Sequence, residues 1–411
     1  MSPIRTLIIL VGIWPGFSLG QAVISSPPVI ERFELKSPPA LGKTRAGQTI
    51  LLGGFSGLRF LGLTGDGKLR FLSHTDRGPN PDAYEDKGII RRPFLLPGFN
   101  PRLVILLADP VRKTLTVSQQ ILLKNIDSKP ISGLSPSSGH QEKPVDLFGN
   151  TLAFKPLDMD LEGIDVANDH SYWMVDEYGP SIIHFSSQGK LLETFYPGKG
   201  LPPILKLRQL NRGFEGIALQ GSKVYAILQS PLQNPVNNPK KDSKIIRFIE
   251  FDIPKKQTTG QFIYLLDKKY SDRIGDMVAL GNGRFLVIEQ NDQTGKKAYK
   301  KIYLIHLADA SNLQSSDPKK RELNENLESQ SADSLKALGI KSLQKELVLD
   351  LAALGIRNSK IEGISLVKPN QIALIIDNDF YLNGKLDKKT GIAGLKHENS
   401  RLYLITFDKP L

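Results

Sequence analysis

Leu161-Glu162-Gly163-Ile164-Asp165-Val166 is the segment from which the architecture can be read, because its pattern returns downstream. Phe214-Glu215-Gly216-Ile217-Ala218-Leu219 and Ile361-Glu362-Gly363-Ile364-Ser365-Leu366 are close copies. Looser ones are Asp276-Met277-Val278-Ala279-Leu280 and, upstream, Phe55-Ser56-Gly57-Leu58-Arg59-Phe60. After each copy come turn residues, an apolar run and a polar cluster. Tyr172-Trp173-Met174-Val175 runs into Asp176-Glu177, and Phe285-Leu286-Val287-Ile288 into Glu289. Ile372 to Ile376 runs into Asp377-Asn378-Asp379, and Leu69 to Leu72 into Thr75-Asp76-Arg77. Self-similarity at such a period marks a repeat architecture. A unit of short apolar strands cannot bury its own faces and must stack on its neighbours.

Taken in order, the strands group in fours. The first group is 55–60, 69–73, 103–108 and 114–123; the second is 161–166, 172–176, 181–186 and 190–196. The third is 214–219, 223–228, 244–252 and 261–266; the fourth is 276–280, 284–289, 301–307 and 346–351. The fifth supplies only 361–366, 371–376 and 401–407, and the alternating segment 29–35 near the N-terminus is left over to complete it. The expected fold is all-β: a β-propeller of about five or six four-stranded blades, closed by pairing of the N- and C-terminal strands, which removes exposed sheet edges. A sixth blade would have to come from 78–101 or 125–158. A β-sandwich would leave the repeats unexplained. The charged segment 309–344 reads as a surface excursion from the fourth unit, with helical character over Ala332 to Leu347.

The first residues have the form of an export signal, with Arg5, an apolar run from Thr6 to Phe17, and the small-residue site Ser18-Leu19-Gly20. Cleavage near Gly20 is expected to leave 21–411 as a single secreted or periplasmic domain with the insertion at 309–344. No later run is long enough to cross a bilayer. With 411 residues and no cysteine, disulfides, thiol catalysis and thiolate metal sites are excluded. The formal charge of +12 favours anionic partners, but no nucleic-acid-binding motif is present. The expected partner is a small anionic molecule such as a phosphate ester, bound by a monomer.

In a propeller, equivalent strand ends converge on the axis. Glu162, Glu215, Asp276 and Glu362 share one repeat position in this alignment and are the predicted metal ligands. Crowded carboxylates raise one another's pKa unless a cation lies among them, and an all-oxygen set suits Ca²⁺. The competing reading makes each of these acids an acceptor for backbone N–H groups at a blade corner. Asp76, Asp176, Glu177, Glu289, Asp377 and Asp379 end adjacent strands and could face the same mouth. Basic residues stand nearby: Arg77, Arg212, Arg273 and Lys360. The predicted catalytic set is Glu215, Arg212, Arg77 and Asp76, with guanidinium groups gripping phosphate. A serine esterase would have to use Ser56 with His74 or His184, and the chain lacks a Gly-x-Ser-x-Gly elbow.

Phe55-Ser56-Gly57-Leu58, Asp76-Arg77-Gly78-Pro79-Asn80, Asp160-Leu161-Glu162-Gly163-Ile164, Asn211-Arg212-Gly213-Phe214-Glu215-Gly216, Ile274-Gly275-Asp276 and Ile361-Glu362-Gly363-Ile364 occur in this order. Together they resemble the secreted family named for the esterase-like activity of phytase, over roughly Ser37 to Asp408. The resemblance implies an exported propeller-like hydrolase of phosphate or carboxylic esters. The function read from the sequence is metal-dependent hydrolysis of phosphate esters. The alternatives are a non-catalytic envelope propeller that binds a ligand or partner, and a carboxylesterase or lactonase.

Overall fold

The structure is a computed structural model that describes residues 26–135, 142–154, 158–236, 242–267, 271–314 and 323–411. The export signal read at the N-terminus lies outside the described residues. Strands dominate, and they form an all-β propeller. Each repeat stretch is an innermost strand: Phe55–Leu63, Leu161–Val166, Phe214–Gln220, Arg273–Gly281 and Ile361–Lys368. Each lies against the next and the last against the first, so these five strands close a ring about the axis. The strands behind them pair antiparallel outward, as in Phe214–Gln220, Lys223–Leu228, Ile245–Asp252 and Gln257–Leu265.

Burial follows position within a blade. The second strands are almost wholly buried, Tyr172–Asp176 and Gln371–Ile376 at every residue. Their two faces are covered by the neighbouring blades, so they read as continuous apolar runs. Trp173 belongs to this packing, stacked on His184 with ring centroids 4.2 Å apart. The close approach of inner strands explains the repeated glycine. A Cβ on Gly216 would stand 2.8 Å from the Met277 nitrogen of the next inner strand.

The expected closure is present. Val29–Glu34 pairs antiparallel with Arg401–Thr406, from Val29 opposite Thr406 to Glu34 opposite Arg401. Its far edge touches the outermost strand of the first blade through a single parallel pair, Glu34 with Thr114. Two blades are thereby joined into one eight-stranded sheet.

Two readings change. Helix occupies only Ala332–Ala337 of the predicted helical stretch, and Gln344–Asp350 is the outer strand of its blade, where Leu347 pairs with Tyr303. The excursion is also anchored. Glu328 is buried and accepts from Arg247 Nε at 2.6 Å and Nη2 at 2.8 Å, while Leu313, Leu327, Leu335 and Ile340 pack with Ile245 and Ile263. Long connections elsewhere also carry structure. Tyr84–Asp86, Ile89–Pro93 and Lys143–Val145 form a small sheet, and Leu382–Asp387 pairs with Ile392–Leu395. An apolar cluster containing Leu95, Leu147, Phe380 and Leu382 knits these segments together. Arg92, Glu142 and Phe380 from this cap stand beside the acidic mouth.

Candidate active site

The innermost strands bulge where the repeat begins. In the third blade Phe214 pairs with Leu228 and Gly216 with Ile227, leaving Glu215 unpaired at the bulge; Glu362 has the same position in the fifth. A bulge breaks the alternation of side chains and re-aims the extra residue. In the fourth blade the bulge falls between Ile274 and Asp276, at Gly275. Gly275, not Asp276, is therefore the counterpart of Glu215. Asp276 turns along the axis, where its Oδ2 accepts from Ile364 N at 3.0 Å.

At the mouth a cavity of about 260 Å³ is lined by Asp76, Glu142, Glu162, Glu177 and Glu362 and by Arg77, Arg92, Arg212, Arg273 and Lys360, five acids facing five bases. Gln229, Asn211 and Leu210 complete the wall. Glu215 lies just behind it. The Gln229 amide donates to Glu215 Oε2 at 2.6 Å and to Glu177 Oε1 at 2.8 Å, while Glu215 Oε1 is buried with no partner. Among the other strand-end acids, Asp377 and Asp379 pair with Lys360 at 2.9 and 2.7 Å. Asp176 caps a turn by accepting from Tyr178 N at 2.8 Å. Glu289 is away from the mouth, bonded to Tyr264 Oη and Lys345 between blades.

Of the four predicted ligands, Asp276 takes the blade-corner role and shares it with Asp165. Asp276 and Asp165 accept backbone N–H groups from neighbouring inner strands, Ile364 N and Leu219 N. Glu162, Glu215 and Glu362 contact side chains instead: Ser56 Oγ at 2.6 Å, Gln229, and Arg273 at 3.6 Å respectively. Glu162 and Glu362 therefore line the cavity, while Glu215 stays behind Gln229.

Among the described residues, one group of acids is dense enough for a cation. Single carboxylate oxygens of Asp76, Asp160 and Glu162 all lie within 4.8 Å of one another. Asp160 Oδ2 accepts from Arg77 Nη1 at 2.8 Å, and Asp160 Oδ1 is buried with no donor reaching it. Hard oxygen donors of this kind fit Ca²⁺ or Mg²⁺. Without a cation, Asp160 and Glu162 must keep protons. Asp76, despite its burial, is held below its usual range by the hydrogen bond from Asp160 and the charges of Arg77 and Lys360. Burial, then the charges of Asp76 and Glu177, pushes the Asp160 carboxyl well above its usual range. Burial and the neighbouring Glu215 and Asp76 do the same to Glu162.

A profile of the phytase-like family, described as esterase-like activity of phytase, matches residues 50–380. The chain belongs to that family. An uncharacterized secreted protein of Arthroderma benhamiae is 30% identical to this phytase-like protein over 195 residues, covering 38% of this chain and 36% of the relative. The chain thus matches about a third of that relative's length. Among solved structures, a luciferin-regenerating enzyme aligns over 93% of this chain and 96% of its own, at 10% identity and a TM-score of 0.36. A sialidase of Streptococcus pneumoniae aligns over 87% and 57%, at 8% identity and a TM-score of 0.35. No helix among the described residues is long and apolar enough to cross a membrane.

Within the phytase-like protein the Asn211-Arg212-Gly213 motif has a structural reason. Asn211 adopts a left-handed conformation with φ of 50°, and Gly213 N bonds to Glu177 O at 2.9 Å. A Cβ on Gly213 would stand 2.4 Å from that same oxygen, so only glycine allows the strand to press there and present Arg212 at the cavity. Arg212 is loosely held, with Ser230 Oγ at 3.5 Å and Asp292 at 3.9 Å. The other bases have closer partners: Arg92 grips Glu142 at 2.6 and 2.7 Å, and Arg273 meets Asp292 at 2.8 Å.

The serine-esterase elements do not assemble. Ser56 Oγ is bonded to the Glu162 carboxylate, and His74 Nε2 faces the Glu162 carbonyl oxygen. Burial lowers the His74 pKa to about 4, and its ring is neutral at ordinary pH. His184 bonds to Ser171 Oγ at 2.8 Å. Sequence reasoning missed Asp160 as a member of the dense acid group and Glu142, Arg92 and Gln229 as wall residues. Asp160 could have been found as the acid just ahead of the repeat in its one copy, whereas Arg92 and Glu142 lie outside any repeat.

Proposed function

We propose that this phytase-like protein is an exported hydrolase of phosphate esters that works with a Ca²⁺-like cation held by Asp76, Asp160 and Glu162. The observation that carries the reading is the buried Asp160, which has one oxygen without a donor and a carboxylate oxygen within 4.8 Å of those of Asp76 and Glu162. Such a cation supplies Lewis-acid polarisation of phosphoryl oxygen and of water. The chain's own residues do the rest. Arg212, the base with the longest contacts to its partners, closes on the phosphoryl oxygens, and Arg77 and Arg273 add positive charge beside it. Glu177 stands at the wall as the proton acceptor or donor, held in place by Gln229. Glu215 acts from behind: it accepts from the same Gln229 amide and so fixes the orientation in which that amide holds Glu177.

A carboxylesterase or lactonase of the serine type receives no support from the environments of Ser56 and His74. Release of phosphate from a monoester, and cleavage of an uncharged carboxylic ester, are to be measured side by side with and without chelator and added Ca²⁺. Chelator-sensitive phosphate release is the expected result. Phosphate release unaffected by chelator removes the cation from the reading. Silence on both substrates makes the protein a ligand-binding propeller.

A further inference from the structure

We infer that the substrate carries a sizeable uncharged group beside its phosphoryl group, and that this group lies in a groove running outward from Arg212. This rests on the phosphate-ester reading of the mouth. Arg212 lines both the charged cavity and a neighbouring one of about 380 Å³, walled by Pro231, Leu232 and Leu266 together with Gln209 and Gln233. That space shares Asp242, Lys244 and Leu266 with a third of about 340 Å³, where Ile245, Leu265 and Ala332 add apolar wall. Polarity thus falls in one direction. The mouth is almost wholly charged and amide-lined, with Leu210 its one apolar residue, and the groove becomes more apolar with distance from it.

The opposite flank does not compete for an extra anionic group. Its two lysines are already neutralised: Lys360 by Asp377 and Asp379, and Lys396 by Asp379 at 2.9 Å. A substrate whose phosphoryl group is held by Arg212 therefore gains most by laying an alkyl or aryl portion along Leu232, Leu266 and Ile245. The groove's far wall is formed by Gln330 to Asp333 of the insertion, next to the buried Glu328 and Arg247 pair that ties this part down. This gives the long excursion from the fourth blade a role in substrate choice.

Non-hydrolysable phosphonates separate this inference from catalysis. Binding of methylphosphonate and hexylphosphonate is to be measured by calorimetry in the presence of Ca²⁺. Hexylphosphonate is expected to bind on the order of tenfold or more tightly, the usual discrimination of an apolar pocket for added methylenes. Gln233→Trp and Ala332→Trp place bulk on exposed residues of the groove, where folding is easily checked by melting. Both are expected to abolish the preference for the hexyl compound and leave methylphosphonate binding unchanged. Equal affinities in the wild-type protein, or a preference untouched by both variants, overturn the groove. Failure of both phosphonates to bind overturns the phosphate-ester reading and the groove with it.

Discussion

Arg59 Nε lies 2.9 Å from Asp165 Oδ1, and the guanidinium of that ion pair fills the axis of the ring. Its Nη1 donates to Leu58 O at 2.7 Å and Ile364 O at 2.9 Å, and its Nη2 to Ile217 O at 2.5 Å and Met277 O at 3.3 Å. With Asp165 on the second blade, one side chain thus touches all the inner strands. Arg59→Met removes every donor, leaving Asp165 with only its backbone donors Leu219 N and Val166 N. It also leaves the carbonyls of Leu58, Ile364, Ile217 and Met277 without this partner. A loss of at least about 3 kcal/mol is expected, because each buried acceptor left without its donor costs about 1–3 kcal/mol. Urea unfolding measures it. A loss within about 0.5 kcal/mol, the range of an ordinary surface change, would falsify this account of the axis.

Asp276 shares the axis and gives the fold a pH dependence. Burial is the main cause that raises its pKa, from 3.8 to about 7. The folded protein therefore holds this proton more tightly than the unfolded chain, and the associated stability is full at low pH. It declines as pH rises from about 4 to about 7 and is flat above. Asp276→Asn keeps an oxygen for Ile364 N and removes the titration. The variant is expected to gain on the wild type in melting temperature between pH 5 and pH 8. A difference independent of pH over that interval refutes the assignment.

Arg77 and Arg212 should part company under mutation. Arg77 is mostly buried and holds Asp160 at 2.8 Å, so Arg77→Ala is expected to cost both stability, about 3–5 kcal/mol, and activity. Arg212 has only long contacts, at 3.5 and 3.9 Å. Arg212→Ala should therefore lower activity on phosphate esters by at least about tenfold while moving the unfolding midpoint little. Equal thermal losses in both variants would contradict the view of Arg212 as a free clamp.

Cation binding has a signature independent of turnover. A ligand at a hundred times its dissociation constant stabilises the folded state by about 2.7 kcal/mol. Added Ca²⁺ should raise the melting temperature of the wild-type protein, and chelator should reverse it. Asp160→Asn and Glu162→Gln should each remove the response. A full response in Asp160→Asn places the cation elsewhere.

The inner ring has no spare room. Gly216→Ala would set a methyl 2.8 Å from Met277 N and 3.1 Å from the Asp276 carbonyl carbon. Both obstacles are backbone, so the strands must spread, and a loss of about 1–3 kcal/mol is expected from overpacking. An unaltered denaturation midpoint would show that the ring can yield there.

Much of this arrangement could be read from the chain because repetition is a local signal. The Glu-Gly-Ile copies gave the inner strands, the apolar runs gave the buried second strands, and the three-strand remainder gave the partner for 29–35. Register was harder. Asp276 aligns with Glu215 by eye, yet the bulge falls one residue earlier, at Gly275, and a shift by one residue sends a side chain to another face. Glu215 was legible as part of the acidic ring, but its screening by Gln229 depends on a residue at the end of the next strand. Arg92 and Glu142 meet only because cap segments from distant parts of the chain pair in parallel, and nothing in either segment announces the other. Arg59 was quoted within a repeat without its role being visible, since a plug is defined only by what surrounds it.

The pairing of Val29–Glu34 with Arg401–Thr406 also fixes an order in time. A chain emerging from its N-terminus makes its first strand before any partner exists, and that partner is among the last segments to appear. Until then the growing array has an unsatisfied edge at each end, and the axis that Arg59 fills is not yet enclosed. The mouth draws its lining from all the blades, down to Lys360 and Glu362 of the fifth, so it too is complete only at the finish. Competence to bind and completion of the fold are for this protein a single late event.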